Sequence, residues 1–425
     1  MLIRKSNLLY LFVLVVLLQP FFKKFEFFKN NSFFNTMDEI ILLLFFPVAF
    51  KGVMVALEDK NLRMMCLLFL IYIFLGLVSS VFSGIPILAV LYQLIDSIKF
   101  PIVLMVFLGL NFESAEKAKI TYFIKFILVL SLFLTVFKYI DISAYRSVFS
   151  GSLKGIINSQ GSFIYNTEGA FWHASQVAFF ASTAFVYFYF GKSERYRVHW
   201  LSLSFLLLIL AIQRQELFSL LVSLFFCWLF FEPLKSKKNK FVMGACVITV
   251  ISFFMLLNLS TITNYLSVEI SNLGLDNVEY SEAARVVLLR DSFFIASDYF
   301  PLGSGFGSFG GLGAFLANRD LYEDLFYNDY YFYRENMFLL DVGWSQVVAE
   351  TGWIGFALYL CAIYNLLTYL KKQVAIGGDA GLDSRIVFCI LLMFTINSIT
   401  SSSLTSIFFL LLAFFWISLV KKEKA

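Results

Sequence analysis

Apolar residues in this chain run in blocks about as long as a bilayer is thick. A spanning helix needs about 20 such residues, with about 17 to 25 tolerated. Blocks that meet this lie at 7–22, 37–57, 64–83, 88–110, 120–139, 169–190, 199–213, 215–231, 241–259, 352–370, 386–402 and 404–420, so twelve spans are predicted. The fourth is interrupted by Gln93, Asp96, Lys99 and Pro101, which also suits an interfacial segment followed by a shorter span. The run from 199 to 231 is split by Gln213, Arg214, Gln215 and Glu216, and reads as a hairpin with a polar tip. The block at 7–22 follows Arg4 and Lys5 but precedes Lys23 and Lys24 rather than a small-residue cleavage site, so an uncleaved first helix is expected.

One stretch breaks the pattern. Residues 260–336 are hydrophilic, and a helix is expected there from Ser281 to about Tyr299, stopped by Pro301. A turn-rich loop follows at 303–313, with Gly303, Gly305 and Gly307 alternating. The chain therefore divides into nine spans over 1–259, a large outer loop with short helices over 260–336, and three spans over 337–425. The fold class is an all-α integral membrane protein.

Composition agrees. Of 425 residues, 60% are hydrophobic and 15% charged, against about 45–50% and about 25% in ordinary globular domains. Thirty-three basic and 29 acidic residues cannot coat the surface of a soluble chain this long. A net charge of +4 is too small to argue for nucleic acid. The five cysteines lie in apolar runs with no paired spacing, which disfavours disulfides and zinc.

Basic residues orient the chain. With the N-terminus inside, Lys60, Arg63, Lys117, Lys119, Lys192, Lys235, Lys371, Lys372 and Lys421 all collect on the cytoplasmic side, and both termini are predicted cytoplasmic. The 260–336 loop is then outside. Its four arginines against eleven acidic residues give −7, which leaves +11 on the rest of the chain.

A few residues can carry chemistry. Arg214 in an apolar hairpin is costly unless it meets water or a partner, so it reads either as a snorkelling tip residue paired with Glu216 or as an anion clamp. Arg285 and Arg290 stand about 140° apart on a helix, so one can grip a ligand while the other pairs with Asp291 or Glu282. The glycine loop matches neither a Walker loop nor a dinucleotide fingerprint. It reads as a turn over the membrane surface or as a close backbone approach to a ligand. Asp341, in apolar surroundings, suits a general base or a helix cap. His173, near the outer end of the sixth span, either lines a cavity or packs at the interface. There is no D-x-D, H-E-x-x-H or G-x-S-x-G motif, so a phosphate here would be neutralised by arginine rather than a tightly held metal.

The stretch Arg285…Pro301-Leu-Gly-Ser-Gly-Phe-Gly-Ser-Phe309, followed by Asp341-Val-Gly-Trp-Ser-Gln-Val-Val-Ala-Glu350-Thr-Gly-Trp-Ile-Gly355, resembles the C-terminal signature of the O-antigen ligase and Wzy polymerase superfamily. That family places an arginine about fifteen residues before a Pro-x-Gly-x-Gly segment, then a Glu-x-Gly-x-x-Gly at the head of a spanning helix. Where the ligase pattern has His-Asn, this chain has Asp341-Val342, which looks more like the capsule, colanic-acid and exopolysaccharide polymerase branch.

The resemblance implies a GT-C-like, metal-independent glycosyltransferase of the bacterial inner membrane, without cofactor. It would move a glycan from undecaprenyl pyrophosphate onto a second lipid-linked repeat unit, with a chain-length regulator as a further partner. Arg285 and Arg214 would stabilise the pyrophosphate and Asp341 would orient or deprotonate the acceptor hydroxyl. Arg290, His173, Glu350, Tyr330 and the three glycines would complete the substrate site, and Tyr322, Tyr327, Tyr331 and Tyr333 would offer faces to sugars. The alternatives are a ligase of the same superfamily, or a lipid-linked oligosaccharide flippase or secondary transporter, for which Lys51 and Lys125 in mid-span would be the candidates.

Overall fold

The computed structural model describes residues 45–110, 114–149, 155–157, 163–165, 167–191, 196–231 and 280–419, together with Gln19, Phe21 and Phe22. The predicted span at 241–259, most of that at 7–22 and the loop residues 260–279 lie outside the described residues.

Among the described residues, the regular structure is helical apart from one antiparallel pair of three-residue strands, Gly155–Ile157 and Phe163–Tyr165. Among the described residues, five helical stretches are long and apolar enough to cross a membrane: Lys60–Phe82, Ile87–Gly109, Ala118–Ile140, Arg214–Phe231 and Gly343–Ile376. Shorter apolar helices occupy Ala174–Phe190, Arg197–Leu210 and Ile407–Ser418. This is a membrane protein by length and composition of its helices.

The first described helices follow the predicted runs, with local reasons for their ends. Helix α1 (Phe46–Glu58) has Pro47 in its first turn, and α2 (Lys60–Phe82) starts where the Asp59 carboxylate accepts the Asn61 and Leu62 N–H groups at 2.7 and 3.1 Å. Helix α3 (Ile87–Gly109) is continuous, with Pro101 inside it, rather than the interfacial segment and short span that its polar residues also suited. Gln93, Asp96 and Lys99 are buried, and Lys99 Nζ meets Asp96 Oδ1 at 2.8 Å, so the polar positions face protein instead of lipid.

Helix α4 (Ser114–Ile140) leads into the short α5 (Ile142–Val148) and the strand pair. Helix α6 (Ala174–Phe190) packs on α7 (Arg197–Leu210), which turns tightly through 211–213 into α8 (Arg214–Phe231), forming the expected hairpin. Lys125 on α4 rests among the rings of Trp200, Phe188 and Tyr122 at 5.3 to 6.0 Å.

The region that the charge pattern assigns to the outside, called the outer region for that expectation, begins with α9 (Tyr280–Asp298), close to the helix expected there. Three short helices follow, α10 (Leu312–Ala317), α11 (Asp320–Asp324) and α12 (Tyr331–Arg334). Ala284, Leu288 and Ile295 of α9 join Phe309, Tyr322, Tyr327, Phe332 and Tyr333 in a second apolar core, separate from that of the membrane body.

Helix α13 (Gly343–Ile376) begins nine residues before the predicted span at 352–370 and is broken at Gly352, whose φ of 62° and ψ of −170° are not helical. Helix α14 (Gly378–Asn397) starts and stops earlier than the predicted 386–402 span, and α15 (Ile407–Phe414) continues as a 3-10 turn through Phe415–Leu419. Between them, residues 398–406 hold seven Ser or Thr residues, of which Ser398, Ser401, Ser403 and Thr405 bond to nearby backbone or to one another, as in the Ser398–Ser403 and Ser401–Ser403 hydroxyl pairs. Such local bonds compete with helix, which ends both spans short of their predicted limits.

The glycine loop is where the outer region locks onto the membrane body. Gly303, Gly305 and Gly307 have φ of 80°, 92° and 82° and are buried. A Cβ on Gly305 would lie 2.6 Å from Ser80 Cα, and one on Gly307 2.7 Å from the Ala89 backbone. Gly305→Ala is therefore expected to cost on the order of 2–4 kcal/mol from overlap and positive-φ strain together. The check is thermal unfolding of the purified protein, with a neighbouring exposed substitution such as Leu316→Ala shifting the transition far less.

Candidate functional site

Two of the predicted residues meet. The Arg285 guanidinium on α9 donates from Nη2 to Asp341 Oδ2 at 2.9 Å, across 56 positions of sequence. The two side chains are 34% and 33% exposed, so the pair is open to the surroundings on one side and packed on the other. Asp341 precedes α13 without capping it. The helix starts after Val342 with no side-chain cap, and the Gly343 N–H instead reaches the Ser401 carbonyl at 3.1 Å.

A carboxylate that sequence reasoning left out of the site completes the cluster. Glu216, in the first turn of α8, is fully buried and close enough to Arg285 for their charges to interact. Its Oε1 accepts from Gln215 Nε2 at 3.1 Å, while Gln215 Oε1 accepts from the Thr400 hydroxyl at 2.8 Å. Among the described residues, Glu216 Oε2, Arg285 Nε and both side-chain polar atoms of Asn397 are buried without a hydrogen-bond partner. Such orphaned groups are uncommon in a settled interior. The available signal for Thr400 was the run of seven hydroxyl residues in nine positions, which the hydropathy reading absorbed into two spans.

The remaining predicted residues fall into two groups. Arg214 is the first residue of α8 and is exposed, two positions from Glu216. His173 is exposed at the start of α6, beside Trp172, with its backbone N–H held by Gln176 at 3.3 Å. Both are accessible, on elements other than those of the Arg285–Asp341 pair.

Arg290, in contrast, pairs with Asp291 at 2.8 Å and hydrogen-bonds Tyr330. Burial works against its charge, but these partners outweigh it and hold the guanidinium more basic than usual. Asp291 also accepts from the Tyr327 hydroxyl at 2.8 Å, and burial with the nearby carboxylate pushes that phenol well above its ordinary range. Of the two arginines, Arg290 pairs with its neighbour Asp291 and Arg285 with the distant Asp341.

Several expectations need correction. Tyr322, Tyr327 and Tyr333 are buried in the outer core, and Tyr330 stacks on Phe332 at 5.1 Å, so these rings build the module rather than offer open faces to sugars; Tyr331 alone of the group is well exposed. The loop glycines approach protein backbone, not a ligand. Ser304 and Gly305 donate their N–H groups to the Ala349 and Glu350 carbonyls at 2.9 Å, and Ser79 Oγ donates to the Gly303 carbonyl at 2.6 Å. Glu350, expected at the substrate, is fully buried, and its Oε1 accepts the Gly307 N–H at 2.8 Å. The motif's glutamate and glycines thus fasten the loop, while its arginine and aspartate remain accessible.

No cluster of three or more His, Cys, Asp or Glu side chains that could hold a metal forms among the described residues. Scanned against protein-family models the sequence matches none, and a search of curated proteins returns no match.

Because the Arg285–Asp341 pair is one-third exposed, its stabilising worth is modest. A double-mutant cycle with Arg285→Ala and Asp341→Ala, read by thermal or chemical unfolding, should give a coupling of about 0.5–1 kcal/mol. A coupling of several kcal/mol would instead mark the pair as structural.

Proposed function

We propose that this protein is a metal-independent membrane glycosyltransferase, a polysaccharide polymerase that extends lipid-linked glycans on the outer side of the bacterial inner membrane. The reading includes about twelve spans in a GT-C-like arrangement with both termini cytoplasmic, and a chain-length regulator as a partner. The observation that carries it is the Arg285–Asp341 pair, a partly exposed cation and carboxylate held together in a chain of apolar helices.

In the proposed reaction, the acceptor sugar hydroxyl attacks the anomeric carbon of the donor glycan. A new C–O bond forms as the bond to the pyrophosphate oxygen breaks, and undecaprenyl pyrophosphate leaves with the electron pair. Asp341 takes the hydroxyl proton. Arg285 turns its remaining N–H groups to the pyrophosphate oxygens, where charge develops, and the exposed Arg214 supplies a second cation. Glu216 sits behind Arg285, too deeply buried to reach substrate itself.

A ligase of the same superfamily would use the same donor and differ in acceptor. Buried charge in α3, where Asp96 pairs with Lys99 at 2.8 Å, favours a flippase or transporter as the second reading, since ionisable residues inside spans often mark a transport path. One assay separates the three. Purified protein given undecaprenyl-pyrophosphate-linked repeat units makes long polymer if the proposal holds, makes single transfers to a lipid acceptor if it is a ligase, and moves substrate between leaflets without bond formation if it is a transporter.

Within that assay, Arg285→Ala should lower the polymerisation rate by about 10²–10³ while membrane assembly is retained. Asp341→Asn should lower it by about 10²–10⁴ and flatten the acidic limb of the pH–rate profile. Normal chain lengths from the Arg285 variant would overturn its assigned role.

A further inference from the structure

We propose that α9 lies in the outer interfacial layer of the bilayer, with one apolar stripe against lipid, so that Arg285 and Arg290 stand at the depth of the lipid phosphates. The sequence placed this helix in a hydrophilic loop, where the face turned away from the protein would be polar throughout. It instead carries large exposed apolar side chains among the polar ones. Successive side chains leave a helix about 100° apart, so Ala284, Leu288 and Ile295 share the face buried in the outer core. Val286 and Phe293 fall on the opposite face and are 51% and 38% exposed, with Phe294 beside them at 60% and Phe300 just past the helix end at 68%. An outward helix face that carries large apolar side chains beside Arg290 and Ser297 is amphipathic, the character of an interfacial surface.

Continuity identifies that surface. The Phe293 ring stacks on Trp353 of α13, with centroids 5.5 Å apart and planes 15° from parallel, and Trp353 Nε1 donates to Ser297 Oγ at 3.3 Å. From Trp353 the exposed face of α13 runs on through Leu360 and Tyr364, one side of a helix long and apolar enough to cross a membrane. The stripe on α9 is therefore the upper end of a lipid-facing surface, with tryptophan at the join, where interfacial aromatics concentrate.

Charge fits the same depth. On α9, Arg290 stands on the lipid side with its side chain 40% exposed, and Arg285 flanks the stripe at 34%. Guanidinium groups above a buried apolar stripe match a layer of phosphates over acyl chains. The bilayer contact rests only on the apolar helices. That a lipid-linked donor reaches Arg285 sideways along this α9–α13 face rests on the proposed function.

The test is a depth measurement on the full chain in nanodiscs of phosphatidylethanolamine and phosphatidylglycerol. Spin labels go at Val286→Cys and Phe294→Cys in a background with the native cysteines replaced, with Leu360→Cys as the membrane reference and Glu323→Cys as the aqueous one. Labels at 286 and 294 should be open to oxygen and shielded from a water-soluble nickel complex, about 5–10 Å below the phosphates. Accessibilities equal to those at 323 would overturn the inference.

Should the cysteine-free chain fail to assemble, brominated lipids offer a second route. The native chain should lose more tryptophan fluorescence to lipid brominated near the carbonyl than Trp353→Phe does, and equal quenching in the two would overturn the inference. Neither measurement involves glycan transfer. A failed polymerase assay leaves this inference standing, and polymer made by a protein whose labels sit in water overturns it alone.

Discussion

The structure depends on a backbone junction in which one chain segment repairs a break in another. Helix α13 stops at Gly352 and resumes, and a helix end leaves carbonyls without partners. The Ala349 and Glu350 carbonyls at that end accept the N–H groups of Ser304 and Gly305. The Glu350 side chain then takes the next free donor, the Gly307 N–H. The same loop is gripped by Ser79 and Ser80 from α2 and, through Gly313, by Gln93 from α3. Since α9 runs into this loop from one side and α13 carries it from the other, the junction sets where Arg285 and Asp341 stand relative to each other.

Buried charge shows how the same side chains take different roles with access. Asp96 and Lys99 pair deep in α3, and Lys138 pairs with Glu168 at 4.0 Å while lying 5.7 Å over the Tyr145 ring. All four are nearly inaccessible, and removing one member of such a pair leaves an uncompensated charge in a medium that solvates it poorly. The Arg285–Asp341 pair has the same chemistry with a third of each side chain open, so a ligand can compete for it. Exposure, rather than residue type, separates this candidate pair from the scaffold pairs.

Much of this was legible in the chain. The apolar runs near 64–83, 88–110, 120–139 and 215–231 became helices within a few residues of their predicted limits, because the length of an apolar block reports directly on the solvent it meets. The polar tip of the 199–231 run became a turn, and Pro301 marked the end of α9. Less legible were residues whose role depends on a distant partner. Glu350 and the loop glycines carried the strongest local pattern yet serve packing, while Glu216 and Thr400 carried almost none yet stand at the site.

By itself, then, the sequence determined the apolar character of the spans, the helical class and the limits of several helices, which follow from composition and local order, while the candidacy of Arg285 came with the family resemblance. Only the tertiary structure decided that Arg285 rather than Arg290 pairs with Asp341, that the glycine loop is a buried clasp, and that α9 turns aromatic rings outward beside Trp353. Those outcomes rest on which surfaces of widely separated segments meet, and hydrogen-bond partners 40 to 220 positions away leave no periodicity for a linear reading to find.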